Sequence, residues 1–250
     1  MVSSGKYFPV SIIVEDEGAF KVGETYVVGY EPHSVLPQGI SVFSQYANDH
    51  IPPALHNIRI MASSAGFTTV VMRHLWWWLG CRPVSRKVIH QLLSEGTSVA
   101  LCPGGVRECL YMERGKEVVF LRQRKGFVRM ALQHGAPLVP VLAFGQTDLY
   151  DYVRPFFDFP RGIVPRHMYA KFARKLGYAP MLMWGVLGTF IPKKVPMTIV
   201  VGRPIPVPKL ENPSDAEVAK YLDHFIHSIQ RIWDDYKEKA GYKNMELVIY

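Results

Sequence analysis

The sequence predicts an α/β fold, a mixed central sheet flanked by helices, and three observations lead there. Between residues 85 and 144, stretches of helical and strand character alternate. Such alternation is how a chain builds a sheet with helices on both faces. Short apolar runs, Tyr26-Val27-Val28 among them, end in turns rich in glycine and proline. A long amphipathic helix stands near the end, with Val218, Leu222, Phe225, Ile229, Ile232 and Tyr236 at steps of three and four. That spacing puts one apolar stripe against a core.

Taken in order, residues 8–14 (FPVSIIV) read as a first strand, followed by the turn Asp16-Glu17-Gly18. The strand at 25–30 runs into a turn marked by Gly29, Pro32, Pro37 and Gly39. Residues 41–66, with Pro52-Pro53, yield no regular element. Thr68 to Leu79 reads as a helix stopped at Gly80. Its three adjacent tryptophans cannot share one face, because successive residues lie about 100° apart. At least one therefore faces a groove, a partner or lipid; otherwise this is a thick core helix with one exposed ring. Ser85 caps a helix carrying Val88, Ile89, Leu92 and Leu93, which ends at Gly96. A strand at 97–102 enters Pro103-Gly104-Gly105. A helix from about Gln123 to Gln133 ends at Gly135, and a strand follows from Leu138 to Phe144. Residues 148–178 mix aromatics, prolines and basic groups in the manner of an inserted loop or cap. The strand at 198–201 gives way to Pro204, Pro206 and Pro208, which keep the chain extended. Ser214 and Glu217 have capping-box spacing for the last helix, which Gly241 ends.

At 250 residues the chain suits one domain, 1–250, with 145–195 as an inserted cap or membrane-contacting segment. Net charge is +8 and pI about 9.3, a surface suited to anionic headgroups, nucleic acid or phosphorylated small molecules. Nucleic acid is disfavoured, because no recognition motif is present. Three cysteines make no even disulfide framework and read as reduced thiols. No charged-then-apolar leader opens the sequence. No apolar run reaches the 18 or so residues a spanning helix needs. The nearest, Ala179 to Pro192, is a core segment, a membrane-surface segment or the wall of an apolar groove.

Glu31, His33 and Ser34 sit just past a strand's carboxyl end, where open α/β sheets bind ligands. A neutral imidazole there has the pKa range of a general base, although a lone turn histidine also serves as a plain hydrogen-bonding group. Gly104 and Gly105 admit close backbone approach to an oxyanion or phosphate, or they simply make a tight turn. Arg122, Arg124, Lys125 and Arg129 cluster around Gly126, either as a phosphate site or as a solvated helix end. Cys102 and Ser34 are the nucleophile alternatives. The sequence has no G-x-S-x-G elbow, H-E-x-x-H, spaced Cys/His pairs, P-loop or G-x-G-x-x-G. Hydrolase, metal-centre and nucleotide classes therefore lack support, and no metal site is expected.

Four blocks carry a resemblance: YEPHSVLP at 30–37, PGGVRE at 103–108, RKGFVRMALQHGAPLVPVLAFGQ at 124–146 and VVGRPIPV at 200–207. In this order and spacing the chain, from about Phe8 onward, resembles the type-2 diacylglycerol acyltransferase family, and EPHS looks like its plant and algal branch. The resemblance implies a glycerolipid-acyltransferase-like fold with active-site turns at strand ends. It implies acyl-CoA as co-substrate, 1,2-diacylglycerol as acceptor, triacylglycerol as product and no separate cofactor. A monoacylglycerol or long-chain alcohol acceptor, or a catalytically silent lipid-binding protein, stays open beside it. It further implies the cytosolic face of the endoplasmic-reticulum membrane, and lipid droplets. His33 is then the candidate base and Glu108 its candidate partner, because related enzymes carry an aspartate five residues after the histidine and this chain has Gln38 there. Glu31 is a second candidate partner, and Glu108 otherwise reads as a loop carboxylate. Arg86, Gly104, Gly105, Arg124, Lys125 and Gly126 become the substrate-binding candidates, with Arg203 weaker. Members usually carry a hydrophobic hairpin ahead of the first block; these 250 residues do not include one, which leaves a short form, a fragment or a peripheral protein open.

Overall fold

The computed structural model describes residues 7, 9–68, 70–155, 158, 164–176 and 178–250. Phe8 of the expected first strand and Thr69 of the expected tryptophan helix lie outside them.

Seven strands form the central sheet. They are β1 (Val10–Val14), β2 (Val27–Glu31), β3 (Ile58–Ala62), β4 (Cys81–Pro83), β5 (Ser98–Leu101), β7 (Leu138–Phe144) and β10 (Met197–Val201), in the order β1-β10-β7-β2-β5-β3-β4. From β7 to β4 all neighbours are parallel. β10 is antiparallel to β7, and β1 follows β10 in parallel. The sheet is thus mixed, as expected. β6 (Lys116–Val119) pairs apart from it with β11 (Glu246–Ile249), and β8 (Asp151–Val153) pairs with β9 (Leu182–Trp184).

One face of the sheet is covered by regular helices. These are α2 (Arg86–Ser94), α4 (Lys125–His134) and α6 (Asp215–Tyr236). Ile89, Leu93, Phe127, Ala131, Phe225 and Ile229 from them meet Val27, Val99, Leu138 and Leu142 of the strands. The caps form as the sequence predicts. Ser85 Oγ accepts from the Val88 N–H at 3.2 Å, Gly135 takes the left-handed conformation after α4, and Ser214 and Glu217 make a complete capping box. Gly29 is required in β2 because any Cβ there would press into the Phe225 ring.

The other face departs from the simplest expectation of helices on both sides. Val28, Tyr30, Ala100 and Val139 are covered mainly by short 3-10 turns between residues 38 and 67, through Ile40, Phe43, Ile51 and Leu55. Pro52 and Pro53, which have no N–H to donate, stand at the start of the turn Pro53–Leu55 and keep any helix from running into it. α1 (Val70–Trp78) flanks this region. Trp76 packs over Gly66, whereas Trp77 and Trp78 are 54% and 74% exposed, so the three rings do divide between faces. The Arg82 guanidinium lies 3.7 Å from the Trp77 ring centroid.

Two further elements lie where the sequence suggested only turns or loop. α3 (Gly105–Tyr111) begins directly after β5's turn, and α5 (Arg166–Leu176) rises from the inserted region and packs Tyr169 and Ala173 onto Leu110 of α3. Arg154, itself buried, fastens this insertion by donating to the carbonyls of Cys109 and Leu110 and pairing with Asp158.

Candidate active site

β2 sits between β7 and β5, and all three point the same way. Their carboxyl ends therefore present three turns side by side. β2 supplies Glu31, Pro32 (after a cis peptide bond), His33 and Ser34. β5 supplies Cys102, Pro103 and Gly104, then α3 with Glu108 and Cys109. β7 supplies Gln146.

The first two turns exchange carboxylates. Glu31 Oε1 accepts from the Gly104 N–H at 3.0 Å. Glu108 Oε1 accepts from the N–H groups of both His33 and Ser34, the latter at 3.0 Å, and Glu108 Oε2 accepts from Phe120 N–H at 3.4 Å. Both glutamates are fully buried. A Cβ on Gly104 would overlap Glu108 Oε2, so the second position of Pro-Gly-Gly must be glycine here. Burial, and next the neighbouring Glu108 carboxylate, push the Glu31 carboxyl well above its ordinary range.

The imidazole is aimed differently from the sequence reading. That reading has Glu108 hold the ring; the structure has Glu108 hold the main chain that carries it. The ring nitrogen Nδ1 faces the Ser34 carbonyl at 2.8 Å, and Cys109 Sγ lies 3.6 Å from Nδ1 while donating to that same carbonyl at 3.2 Å. A carbonyl only accepts, so Nδ1 keeps a proton throughout, and Nε2 is the nitrogen that bears the lone pair once the ring is neutral. Burial lowers the His33 pKa, but Cys109, Glu108 and the Ser34 carbonyl outweigh it and hold the imidazole at about 9. Ser34 pays for this arrangement with φ of 53°, a left-handed backbone unusual outside glycine and enriched at functional sites.

Two residues absent from the sequence reading complete the frame. Gln146 Oε1 accepts from the Gly39 N–H at 3.0 Å and from the Tyr30 hydroxyl, while its Nε2 donates to the Pro32 carbonyl. Glu117 in β6 accepts from the Thr147 hydroxyl at 2.7 Å, and burial lifts it to about 8. The signal for Gln146 was its place at the end of β7; nothing local marked Cys109 or Glu117.

The basic candidates separate. Arg124, the N-cap of α4, donates to the Gly104 carbonyl, and its Nε is buried with no hydrogen-bond partner among the described residues. Lys125 and Gly126 open α4 beside it and are exposed, with free space over Gly126. Arg122 is directed to the Ile249 carbonyl, and Arg129 to Pro213 and Asp215. Arg86 stands exposed at the start of α2, at the same end of the sheet but beyond edge strand β4, three strands from β2. Arg203 follows β10, which runs the other way, so it lies at the opposite end. The Gly104 N–H is already taken by Glu31, so it does not serve an oxyanion; Gly105, with φ of 53°, starts α3 next to it. Cys102 is pushed well above the usual thiol range by burial and then by Glu31, which leaves it a poor nucleophile. A cavity of about 670 Å³ lies at the opposite end of the sheet from His33, lined by Arg203, Arg231 and His224 among others.

A family described as diacylglycerol acyltransferase matches residues 3–250. Diacylglycerol O-acyltransferase 2 of Xenopus tropicalis is 34% identical across 97% of this chain and 68% of its own length, and that of Homo sapiens is 33% identical across 97% and 64%. Human 2-acylglycerol O-acyltransferase 3 is 34% identical across 94% of this chain and 70% of its own. The chain thus spans about two thirds of the length of these relatives. In fold it is similar to the 1-acyl-sn-glycerophosphate acyltransferase PlsC of Thermotoga maritima, with a TM-score of 0.50, 14% identity, and coverage of 90% of this chain and 72% of that one.

Proposed function

The chain belongs to the diacylglycerol acyltransferase family, and from that premise we propose that it transfers the acyl group of an acyl-CoA to the free hydroxyl of 1,2-diacylglycerol, forming triacylglycerol and coenzyme A. His33 Nε2 removes the hydroxyl proton as the oxygen attacks the thioester carbonyl carbon. The tetrahedral intermediate collapses with cleavage of the carbon–sulfur bond, and the imidazolium returns the proton to the departing sulfur. No acyl-enzyme is needed, which fits Cys102 being held as a thiol. General-base assistance of this kind contributes about 10²–10⁴ in rate.

The observation that carries this reading is the pair of contacts on His33. Glu108 clamps its backbone, and the Ser34 carbonyl fixes Nδ1–H so that Nε2 is the basic nitrogen. Glu108 is a positioning residue in this scheme. Arg124 and Lys125, at the start of α4, meet the phosphates of the carrier, where a helix N-terminus adds its own attraction for anions. Gly105 and Gly126 leave room for backbone approach, the space over Gly104 being filled by Glu108, and Arg86 stands further along the same end of the sheet. Acyl-CoA serves as co-substrate with no further cofactor or metal.

A monoacylglycerol acceptor is the second reading, favoured by the human relative named as a 2-acylglycerol acyltransferase. Substrates of this kind place the enzyme at a membrane surface, which we assign to the cytosolic face of the endoplasmic reticulum and to lipid droplets. Among the described residues, no helix is long and apolar enough to cross a membrane.

The test is acyl transfer from labelled oleoyl-CoA by wild type and His33→Ala in cells lacking their own neutral-lipid synthesis. Labelled triacylglycerol lost in the variant is the expected result. A labelled diglyceride made from monoacylglycerol moves the assignment to the second acceptor, and activity surviving in His33→Ala overturns the mechanism.

A further inference from the structure

The inserted region carries a feature that the chemistry at His33 does not use. Between β9 and the return to the sheet, residues 185–191 form a tight, cross-braced loop. Gly185 N–H donates to the Thr189 carbonyl at 2.6 Å, Val186 N–H to the Ile191 carbonyl at 2.8 Å, and the Thr189 hydroxyl to the Val186 carbonyl at 2.7 Å. Gly185 is obligatory, since a Cβ there would collide with the Ile191 carbonyl. This hydrogen bonding fixes a loop whose side chains are apolar and turned outward. Leu187 is 96% exposed, Phe190 76% and Ile191 53%. Leu187 also adopts φ of 51°, a left-handed backbone that a leucine takes only against steric cost. A rigid loop that strains a leucine in order to hold it fully in water is built for an apolar phase outside the protein.

Charge says which phase. Residues 159–195 contain seven lysines and arginines and no aspartate or glutamate, in a chain that carries 21 acids over its 250 residues. Lys193, ion-paired with Asp151 of β8 at 2.7 Å, and Lys194 follow the loop directly. Exposed Lys171 and Lys175 lie on α5, whose outer side also presents Met168 and Phe172 at 54% and 55% exposure. An apolar tip beside a stretch of net positive charge complements an anionic phospholipid surface, with the tip entering the acyl boundary and the exposed lysines of α5 meeting the headgroups.

We propose that residues 185–191 are a membrane-docking finger that seats the protein on anionic phospholipid. This rests on the reading of the protein as an enzyme of lipid surfaces and names the part that touches the lipid. The finger is also tied to the site. The Tyr150 hydroxyl donates to the Phe190 carbonyl at 3.3 Å and accepts from Gln38 Nε2 at 3.4 Å, and Gln38 lies in the turn that continues from His33. Docking through the finger therefore brings the β2 turn toward the phase that holds the acceptor.

The experiment is co-sedimentation of the full chain with phosphatidylcholine vesicles, with and without phosphatidylserine, for wild type and Leu187→Asp/Phe190→Asp. Activity is measured in parallel on a dispersed short-chain diacylglycerol. Wild type is expected to sediment with the anionic vesicles in a salt-sensitive manner. The variant is expected to lose at least tenfold in vesicle affinity while keeping its activity on the dispersed substrate. Equal sedimentation of variant and wild type overturns the finger, as does a wild type that ignores anionic lipid. A variant that binds vesicles normally but loses a concentration-dependent self-association would make the loop a protein interface instead. Absence of acyl transfer on any substrate refutes the enzymatic reading separately, because the vesicle arm does not depend on turnover.

Discussion

Glutamates lie at both ends of the central sheet, and the two ends treat them oppositely. At the end away from His33, Glu15 meets Arg231 in a two-pronged ion pair, with both contacts at 2.7 Å, and Arg231 also holds Asp235. Each charge there has a counter-charge. At the other end Glu31, Glu108 and Glu117 are all buried. Their oxygens accept from backbone N–H groups and one hydroxyl, the Glu31 and Glu108 carboxyls also meet each other, and Arg124 is the nearby cation. Compensated charge is architecture and costs little to keep. Carboxyls gathered in a dry site without full compensation are costly to keep, and they mark the place where protonation matters.

The comparison breaks most sharply at Glu108. Glu108→Ala strands the N–H groups of His33 and Ser34, so the rate is expected to fall by about 10²-fold and stability by about 1–3 kcal/mol. Glu108→Gln, which keeps one acceptor oxygen, should recover part of both, as kinetics and denaturant midpoints would record. Next in size is the pH profile. An imidazole held at about 9 must lose its proton to act as a base, so kcat/KM should climb with pH toward that value. Cys109 is one of the groups raising it, and Cys109→Ala should move the limb to lower pH; an unmoved limb removes Cys109 from the site. A smaller effect belongs to Glu117. Its folded pKa of about 8 exceeds the ordinary 4.5, so the folded state holds a proton that the unfolded chain has released. Stability from this group is full below about 4.5 and declines as pH rises to about 8. Glu117→Gln should flatten that decline in thermal midpoints read across the range. The smallest effect is at the far end, where Arg231→Ala should cost about 1 kcal/mol and leave acyl transfer unchanged. A large loss of activity there would erase the distinction between the ends.

What could be read from the sequence follows the range of the forces involved. β7 matched its expected bounds, and α6 began where Ser214 and Glu217 said it would, because alternation and capping are local. α3 is only seven residues long and starts on the last glycine of Pro103-Gly104-Gly105, a local signal for a turn, and packing against α5, not propensity, keeps it helical. The pairing of β6 with β11 joins residues about 130 positions apart, beyond any local signal. The same limit holds in the site. His33 and Glu108 stood out as polar residues at strand ends, but whether the carboxylate would take the ring or the backbone was a matter of tertiary geometry. Gln146 and Cys109 show themselves only once β7 and α3 are placed beside the β2 turn.

The exchange of carboxylates between the turns after β2 and β5 has a consequence for motion. The Gly104 amide hydrogen is held by a residue from the first turn, and those of His33 and Ser34 by a residue from the second. Neither turn can peel away alone without breaking bonds of both. The three amides, about seventy residues apart in the chain, therefore share a single opening event and should trade their hydrogens with solvent at one common rate.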